Sequence, residues 1–343
     1  MDVALFSAGH HAWLGGYDSA TAWTPLPWDW CEVSAVEVDA VRTPDGTVTV
    51  GRWHRALGAQ LVRVTDGEVR EVPGPAVTGG PHWLRVLPSG RVFVGSEGPE
   101  GPWLLAPGSE QWINLPAQDG PWICRSGVRD LPDRVLQVDR DDPARVLAEL
   151  DPSTGRPQPA PDGTTLPCLD VPRGPRRRSF SRPTLRMADP DALPGGLLTG
   201  EESFGGRSGR ARTLLHAAGP GPGARVHSRR LRRNRTAMRH FLPADGRVLV
   251  VDDFAHLYTT GPRPGRWSRT PLWRRIAEVC GQRDLRRFQL LDAVLHGGTL
   301  HVAVQFGDRP AYYADHVVAA SLDGSQAELL HRANPGMSVL ALA

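Results

Sequence analysis

The chain has 343 residues, of which 40% are apolar, and this is enough to build a substantial hydrophobic core. Its 38 glycines and 32 prolines occur at intervals, which is typical of many turns rather than of a disordered tract. No run approaches the roughly 18–20 apolar residues of a membrane-spanning helix. Residues 1–13 lack a basic segment followed by a long apolar one, so no secretory signal is predicted.

The four cysteines lie far apart in the sequence. They form no CxxC pair and show no spacing typical of metal ligands, and they are Cys31, Cys124, Cys168 and Cys280. We therefore predict a cytoplasmic protein with free thiols and with no metal or other cofactor.

The charge is unevenly distributed along the chain. All 40 basic residues are arginine, and the net charge is +3. Residues 173–287 hold 25 arginines and 9 acidic residues, a balance of +16, whereas the remainder has a balance of −13. This polarity favours an electrostatically oriented contact surface. The plainer explanation is the arginine bias of a GC-rich genome.

A short pattern recurs along the chain: an apolar run, a turn with Pro, Gly or Asp, and a second β-rich run. Pro and Gly favour tight turns, and the flanking Val, Leu and Thr favour strands. Each copy therefore predicts a β-hairpin, and the copies are 40–51, 83–95, 127–139, 191–200, 240–252 and 292–304.

A second hairpin is predicted after each first one. Two hairpins per unit give four antiparallel strands, the composition of a propeller blade. The second hairpins are 60–72, 103–115, 145–159, 213–228, 256–271 and 317–331. The sequence thus contains six complete units.

A seventh unit is divided between the two ends of the chain. Residues 1–27 supply three strands, and residues 337–343 form a lone apolar strand. Pairing strand 337–343 with strand 3–8 would close the ring and remove exposed sheet edges. We predict one all-β domain over residues 1–343, a monomeric seven-bladed propeller. Its blades are 337–343 with 1–27, 33–73, 80–117, 121–161, 183–228, 236–271 and 288–332.

The repeat resembles the kelch-type propeller in part. Gly15, Gly16, Tyr17 and Trp23 are similar to the glycine pair, tyrosine and tryptophan of a kelch repeat, and Trp112 and Trp267 occupy similar late-blade positions. The glycine pair lies closer to the tyrosine than in kelch repeats, and the Trp-Asp dipeptide of WD40 repeats does not recur from unit to unit. The resemblance implies an architecture and no particular activity. These tryptophans are expected to pack between blades.

Three connections between blades are rich in arginine. They cover residues 171–186, 227–239 and 269–288 and follow consecutive blades, so we expect them to lie side by side. The last has apolar positions at Leu272, Ile276, Val279 and Leu285, which predict a short amphipathic helix near 271–287. We define the Arg sector as Arg176, Arg177, Arg178, Arg229, Arg230, Arg232, Arg233, Arg274, Arg275, Arg286 and Arg287.

Arginine binds carboxylates and phosphates bidentately. The leading hypothesis is a non-catalytic scaffold that binds an acidic protein through the Arg sector, with no membrane contact. A place in a multiprotein bacterial system is a related hypothesis, by similarity in size and architecture to propellers that accompany MoxR-type ATPases. Nucleic-acid backbone is a second candidate partner, although stacking aromatics are sparse in these connections. Alternatively, the arginines pair with acidic residues of the same face: Asp139, Asp141, Asp142, Glu201, Glu202, Asp252 and Asp253.

The competing hypothesis is a hydrolase or lyase with its active site at the mouth of the channel. His82, His240 and Asp252 are the candidate catalytic residues, because a histidine with a carboxylate can act as acid and base. Cys124, Asp292, His54 and Asp253 occupy related positions. The sequence contains no metal-binding histidine spacing, nucleophile elbow or nucleotide-binding loop.

Overall fold

The computed structural model describes 24 stretches of the chain. They are residues 3–16, 23–31, 33, 38–54, 57–75, 82–87, 89–96, 102–115, 117, 119–124, 135–142, 145–151, 154–164, 186–187, 198–204, 212–218, 227–230, 239–244, 247–252, 254–259, 267–282, 288–306, 314–334 and 336–343. The backbone alone is described for residues 82, 83, 96, 123, 124, 239, 241, 243, 244, 247 and 248 and for the described residues between 186 and 230.

The described residues form seven four-stranded antiparallel sheets in chain order. Sheet 1 contains β1 (Val3–Ala8), β2 (His11–Gly16), β3 (Thr24–Leu26) and β28 (Met337–Leu342). Sheet 2 contains β4 (Val38–Arg42), β5 (Val48–His54), β6 (Gly58–Thr65) and β7 (Glu68–Val72). Sheet 3 contains β8 (His82–Val86), β9 (Val92–Ser96), β10 (Trp103–Leu105) and β11 (Trp112–Asn114).

The remaining four sheets follow the same pattern. Sheet 4 contains β12 (Trp122–Cys124), β13 (Val135–Val138), β14 (Val146–Leu150) and β15 (Pro157–Pro159). Sheet 5 contains β16 (Arg186–Met187), β17 (Leu198–Phe204), β18 (Arg212–Ala218) and β19 (His227–Arg230). Sheet 6 contains β20 (Arg239–Ala244), β21 (Arg247–Asp252), β22 (His256–Thr259) and β23 (Ser268–Pro271). Sheet 7 contains β24 (Phe288–His296), β25 (Thr299–Phe306), β26 (His316–Ala320) and β27 (Ala327–Arg332).

Burial falls from the inner strands of a sheet to the outer ones. The second strands β5, β13 and β25 are buried over nearly their whole length, because sheets cover both of their faces. The fourth strands β7 and β15 are almost fully exposed. This gradient is expected when sheets pack face to face around an axis.

The first strands of neighbouring sheets contact one another. β20 contacts β24, β24 contacts β28, β28 contacts β4, and β4 contacts β8. The sheets are thus arranged as blades around an axis, and the predicted all-β propeller architecture is confirmed.

The two chain ends meet in sheet 1. β28 lies at the inner edge and pairs antiparallel with β1, with Ala4 opposite Leu342 and Ala8 opposite Met337. Pairing of strand 337–343 with strand 3–8 is therefore confirmed, with β28 as the innermost strand.

Two glycines at predicted hairpin turns have the left-handed backbone that such turns require. Gly46 has φ +90° and Gly90 has φ +79°. Their N–H groups donate to Thr43 and Leu87 carbonyls at 2.9 and 2.8 Å. A side chain at either position would strain the turn.

The kelch-like residues pack within sheet 1. The Trp23 ring stacks on Phe6, with centroids 4.4 Å apart and planes 4° apart. A Cβ on Gly15 would collide with the Trp23 ring, so glycine makes room for the stack. Tyr17 lies outside the described residues. The kelch-like residues Gly15 and Trp23 therefore contribute to packing within sheet 1.

The predicted amphipathic helix is present as α1 (Trp273–Val279). Leu272 and Ile276 are buried in the core between sheets 6 and 7, and Ala277 is also buried. The helix packs against β26 and β27. Predicted helix positions 283–287 lie outside the described residues.

Candidate binding surface and channel residues

Helix α1 presents two members of the Arg sector to solvent. Arg274 and Arg275 are exposed on the side opposite the buried Ile276. The Arg274 guanidinium carbon lies 5.2 Å from the centroid of the Trp273 ring, and Arg275 donates to Glu278 Oε2 at 2.6 Å. The exposed face of α1 carries the two positive charges of these arginines and the one negative charge of Glu278, so its net charge is positive.

The C-terminal end of α1 is fixed to sheet 7. Arg332 Nη2 donates to the Cys280 carbonyl at 2.9 Å, and the Cys280 side chain is buried. Burial raises the pKa of the Cys280 thiol to about 12. The thiol is therefore protonated and unreactive at neutral pH, and it acts as a packing group.

Two arginines of the predicted second connection belong to a strand. Arg229 and Arg230 end β19 and pair with Leu215 and Leu214, so the connection begins later than 227. The predicted start of this connection was wrong, because a run of charged residues does not show the alternation of apolar and polar residues that is typical of a strand. Arg176, Arg177, Arg178, Arg232, Arg233, Arg286 and Arg287 lie outside the described residues.

Two of the acidic residues predicted to neutralise the Arg sector are engaged elsewhere. Asp139 lies 3.6 Å from Arg145 and accepts the N–H groups of Asp141 and Asp142 at 2.8 and 3.2 Å. Asp252 is 2% exposed, so it cannot pair with surface arginines. These two carboxylates are therefore not counter-ions of the Arg sector.

Asp252 belongs to a buried network within sheet 6. Its carboxylate accepts the N–H groups of Phe254 and His256 at 3.0 and 2.9 Å. His256 Nδ1 lies 3.2 Å from both carboxylate oxygens, and the Tyr258 hydroxyl donates at 3.2 Å. A carboxylate satisfied in this way holds the β21–β22 turn and has no open side for a substrate.

The structure does not bring His240 and Asp252 together. His240 is paired with Val251, and because successive side chains of a strand alternate, Asp252 lies on the opposite face of the sheet. The prediction that His82, His240 and Asp252 form one group is therefore wrong for the pair His240 and Asp252. His82 lies on β8, and its side chain is outside the described atoms.

His240 instead approaches Asp292 on the neighbouring inner strand. His240 Nδ1 and Asp292 Oδ1 are 3.5 Å apart, with side chains 20% and 15% exposed. Asp292 Oδ1 also accepts the Ala293 N–H at 2.8 Å, and Oδ2 accepts the Leu342 N–H at 2.8 Å. The carboxylate thus connects β20, β24 and β28.

Sequence reasoning missed a cluster between sheets 1 and 2. The Arg52 side chain is buried, its Nε donates to Gln60 Oε1 at 2.6 Å, and its guanidinium lies 4.5 Å from the Trp30 ring. Trp28 has φ +77° and donates its indole N–H to Glu71 at 2.8 Å. The tryptophan pair at positions 28 and 30 was the available signal, and the cluster anchors the segment that joins the two sheets.

The described residues contain no group of three or more His, Cys, Asp or Glu side chains placed to hold a metal ion. Of the other predicted channel residues, His54 ends β5 and accepts the Leu57 N–H at 3.0 Å. Cys124 is described by its backbone alone in β12, and Asp253 lies outside the described residues. In the part of the chain that is described, no helix has the length and apolar character to span a membrane.

No protein-family model matches the chain, and no curated protein matches its sequence. Among solved structures, apo AztD from Citrobacter koseri is 11% identical, with a TM-score of 0.47 over 100% of this chain and 98% of that chain. YCF48 from Cyanidioschyzon merolae is 13% identical, with a TM-score of 0.42 over 89% of this chain and 94% of that chain. YCF48 bound to D1 peptide is 14% identical, with a TM-score of 0.33 over 95% and 80% of the two chains. The propeller architecture of this chain follows from its own sheets and their pairing.

Proposed function

We propose that this chain is a non-catalytic propeller scaffold that binds an acidic protein surface through the Arg sector. The observation that carries the proposal is the exposed pair Arg274 and Arg275 on α1, inside a region of the sequence with a balance of +16. Arginine clusters of this kind recognise carboxylates by charge-assisted, bidentate hydrogen bonds.

Two further observations favour binding of a partner by the Arg sector over pairing of its arginines with acidic residues of the same chain. Asp139 and Asp252 are held by Arg145 and His256, so they are not the counter-ions of the sector. Arg275 pairs with Glu278, whereas Arg274 is exposed beside Trp273, and oppositely charged patches steer association.

Scaffolding is favoured over catalysis by the placement of the candidate acid and base. The Asp252 carboxylate is fully hydrogen-bonded within its buried network. His240 lies on the opposite face of sheet 6, where it approaches Asp292. We include in the proposal a cytoplasmic location and a role within a multiprotein bacterial assembly.

The test is affinity capture from the source organism with purified tagged protein. We expect one acidic protein to be recovered with the natural chain. Reversing Arg229, Arg230, Arg232 and Arg233 to Glu, or Arg274 and Arg275 to Glu, should lower its recovery at least about tenfold. The matched control reverses the exposed Arg42, Arg85, Arg140 and Arg156, outside the sector.

Unchanged recovery with both sector variants would contradict the proposal. A nucleic acid in place of the protein would also overturn it. In that case, affinity should fall steeply with added salt, because binding would release counterions from the phosphate backbone.

A further inference from the structure

The contact between sheets 7 and 1 holds strands β1–β3 to sheet 7, whose chain continues from β27 into the closing strand β28. We call it the closing seam. Its buried core joins Ala4, Phe6, Val339 and Leu342 of sheet 1 to Leu291, Ala303 and Val317 of sheet 7. Ala314 also exchanges two backbone hydrogen bonds with Val339, at 3.1 and 2.7 Å. The closed ring depends on these contacts.

A histidine, His331, lies in the seam beside the aromatic rings of sheet 1. His331 of β27 is paired with Val317 of β26, which contributes to the seam core. The His331 ring centroid lies 4.8 Å from that of Phe6 and 6.0 Å from that of Trp23. The histidine therefore inserts into the aromatic stack of sheet 1 from sheet 7.

The environment of His331 suits a neutral imidazole. Its Nε2 atom is buried and has no hydrogen-bond partner among the described residues. Burial lowers the pKa of His331, and the neighbouring His316 lowers it further. A proton on His331 would place an unsolvated charge in an apolar contact.

Described neighbours offer no carboxylate to compensate that charge. The elements packed against the ring present Phe6 and Trp23 from sheet 1. On β26, the titratable neighbour is His316, whose Nδ1 is 2.6 Å from Asp315 Oδ1, so this carboxylate is already engaged. Arg332 is paired with His316 and donates to Cys280, on the face of the sheet away from the seam.

We infer that His331 makes the closing seam an acid-sensitive latch, held shut when the imidazole is neutral and loosened when it is protonated. The histidine binds a proton more weakly in the closed ring than in an opened one. Closure is therefore fully stabilised above the ordinary histidine pKa of about 6.5 and weakens as pH falls below that value.

Hydrogen exchange of the full chain measures the latch directly. We compare peptides covering β28 and β1 at about pH 7.5 and about pH 5.5, after correction for intrinsic exchange. In the natural chain, seam opening should rise about tenfold at the lower pH, relative to peptides of β5 and β6. His331→Phe should abolish the rise, and the exposed His11→Phe should preserve it.

A rise in His331→Phe equal to that of the natural chain would overturn the inference. If His331→Phe folds poorly, titration of the His331 imidazole by NMR in the natural chain tests the same inference. A His331 pKa at or above about 6.5 would contradict the latch.

Discussion

The Asp292 carboxylate accepts the backbone N–H of Leu342 at 2.8 Å and so fixes the closing strand β28 to the inner strand of sheet 7. The same relationship joins sheets 2 and 3, where Asp39 Oδ2 accepts the Val86 N–H at 2.9 Å. Both aspartates begin an Asp-Ala-Val sequence, at 39–41 and 292–294. In both cases, an inner-strand carboxylate satisfies the backbone of the next sheet.

Removing the Asp292 carboxylate should therefore destabilise the ring. Asp292→Ala leaves the Leu342 N–H without its acceptor, and we expect a loss of about 1–3 kcal/mol in the free energy of unfolding. Asp292→Asn keeps an acceptor oxygen and should lose less. Urea denaturation measures the difference, with the exposed Asp162→Asn as control. Equal stability of Asp292→Ala and the natural chain would show that this hydrogen bond contributes nothing.

Deleting residues 337–343 should open the ring. The deletion removes β28 and exposes the edge of β1, and an unpaired inner edge favours aggregation. We expect a poorly soluble or oligomeric product in size-exclusion chromatography. A truncated chain that stays folded and monomeric would contradict closure by this strand.

The Gly15 position should tolerate a side chain only if Trp23 is removed. Gly15→Ala places a methyl group against the Trp23 ring, and overpacking of this kind costs roughly 1–3 kcal/mol. Trp23→Ala should be destabilising alone but should cancel most of the Gly15→Ala penalty. A double-mutant cycle in urea measures this coupling. Additive losses would show that the two residues do not interact.

The described cysteines should differ sharply in reactivity. Cys31 is exposed and Cys280 is buried, and burial raises the pKa of the Cys280 thiol to about 12. In native conditions near pH 7, a maleimide should label Cys31 at least about a hundredfold faster, since the thiolate is the reactive form. Peptide mass spectrometry resolves the two sites. Comparable labelling would mean that α1 separates readily from sheet 7.

Much of the fold could be predicted because strands, turns and one helix follow local patterns. The surplus strand 337–343 and the incomplete unit 1–27 predicted the closure that β28 and β1 make. The spacing of Leu272, Ile276 and Val279 predicted α1. These features depend on periodicity, which a single sequence displays.

The candidate site was harder to predict because it depends on register and on backbone partners. The predicted positions of His240 and Asp252 at the mouth of the channel favoured one site, but pairing of His240 with Val251 places Asp252 on the other face. The partner of Asp292 is a main-chain N–H at position 342, which no side-chain motif reveals. Arg229 and Arg230 were predicted to lie in a connection because a run of charged residues lacks the alternating pattern of a strand, but they end β19.

Site-specific cross-linking tests the proposed binding surface most directly. A photoreactive residue is placed at position 274 on α1, and at the exposed position 156 as the matched control. We predict that the variant at 274 cross-links to an acidic segment of the captured partner and that the variant at 156 does not. Cross-links from 156 and none from 274 would contradict binding through the Arg sector.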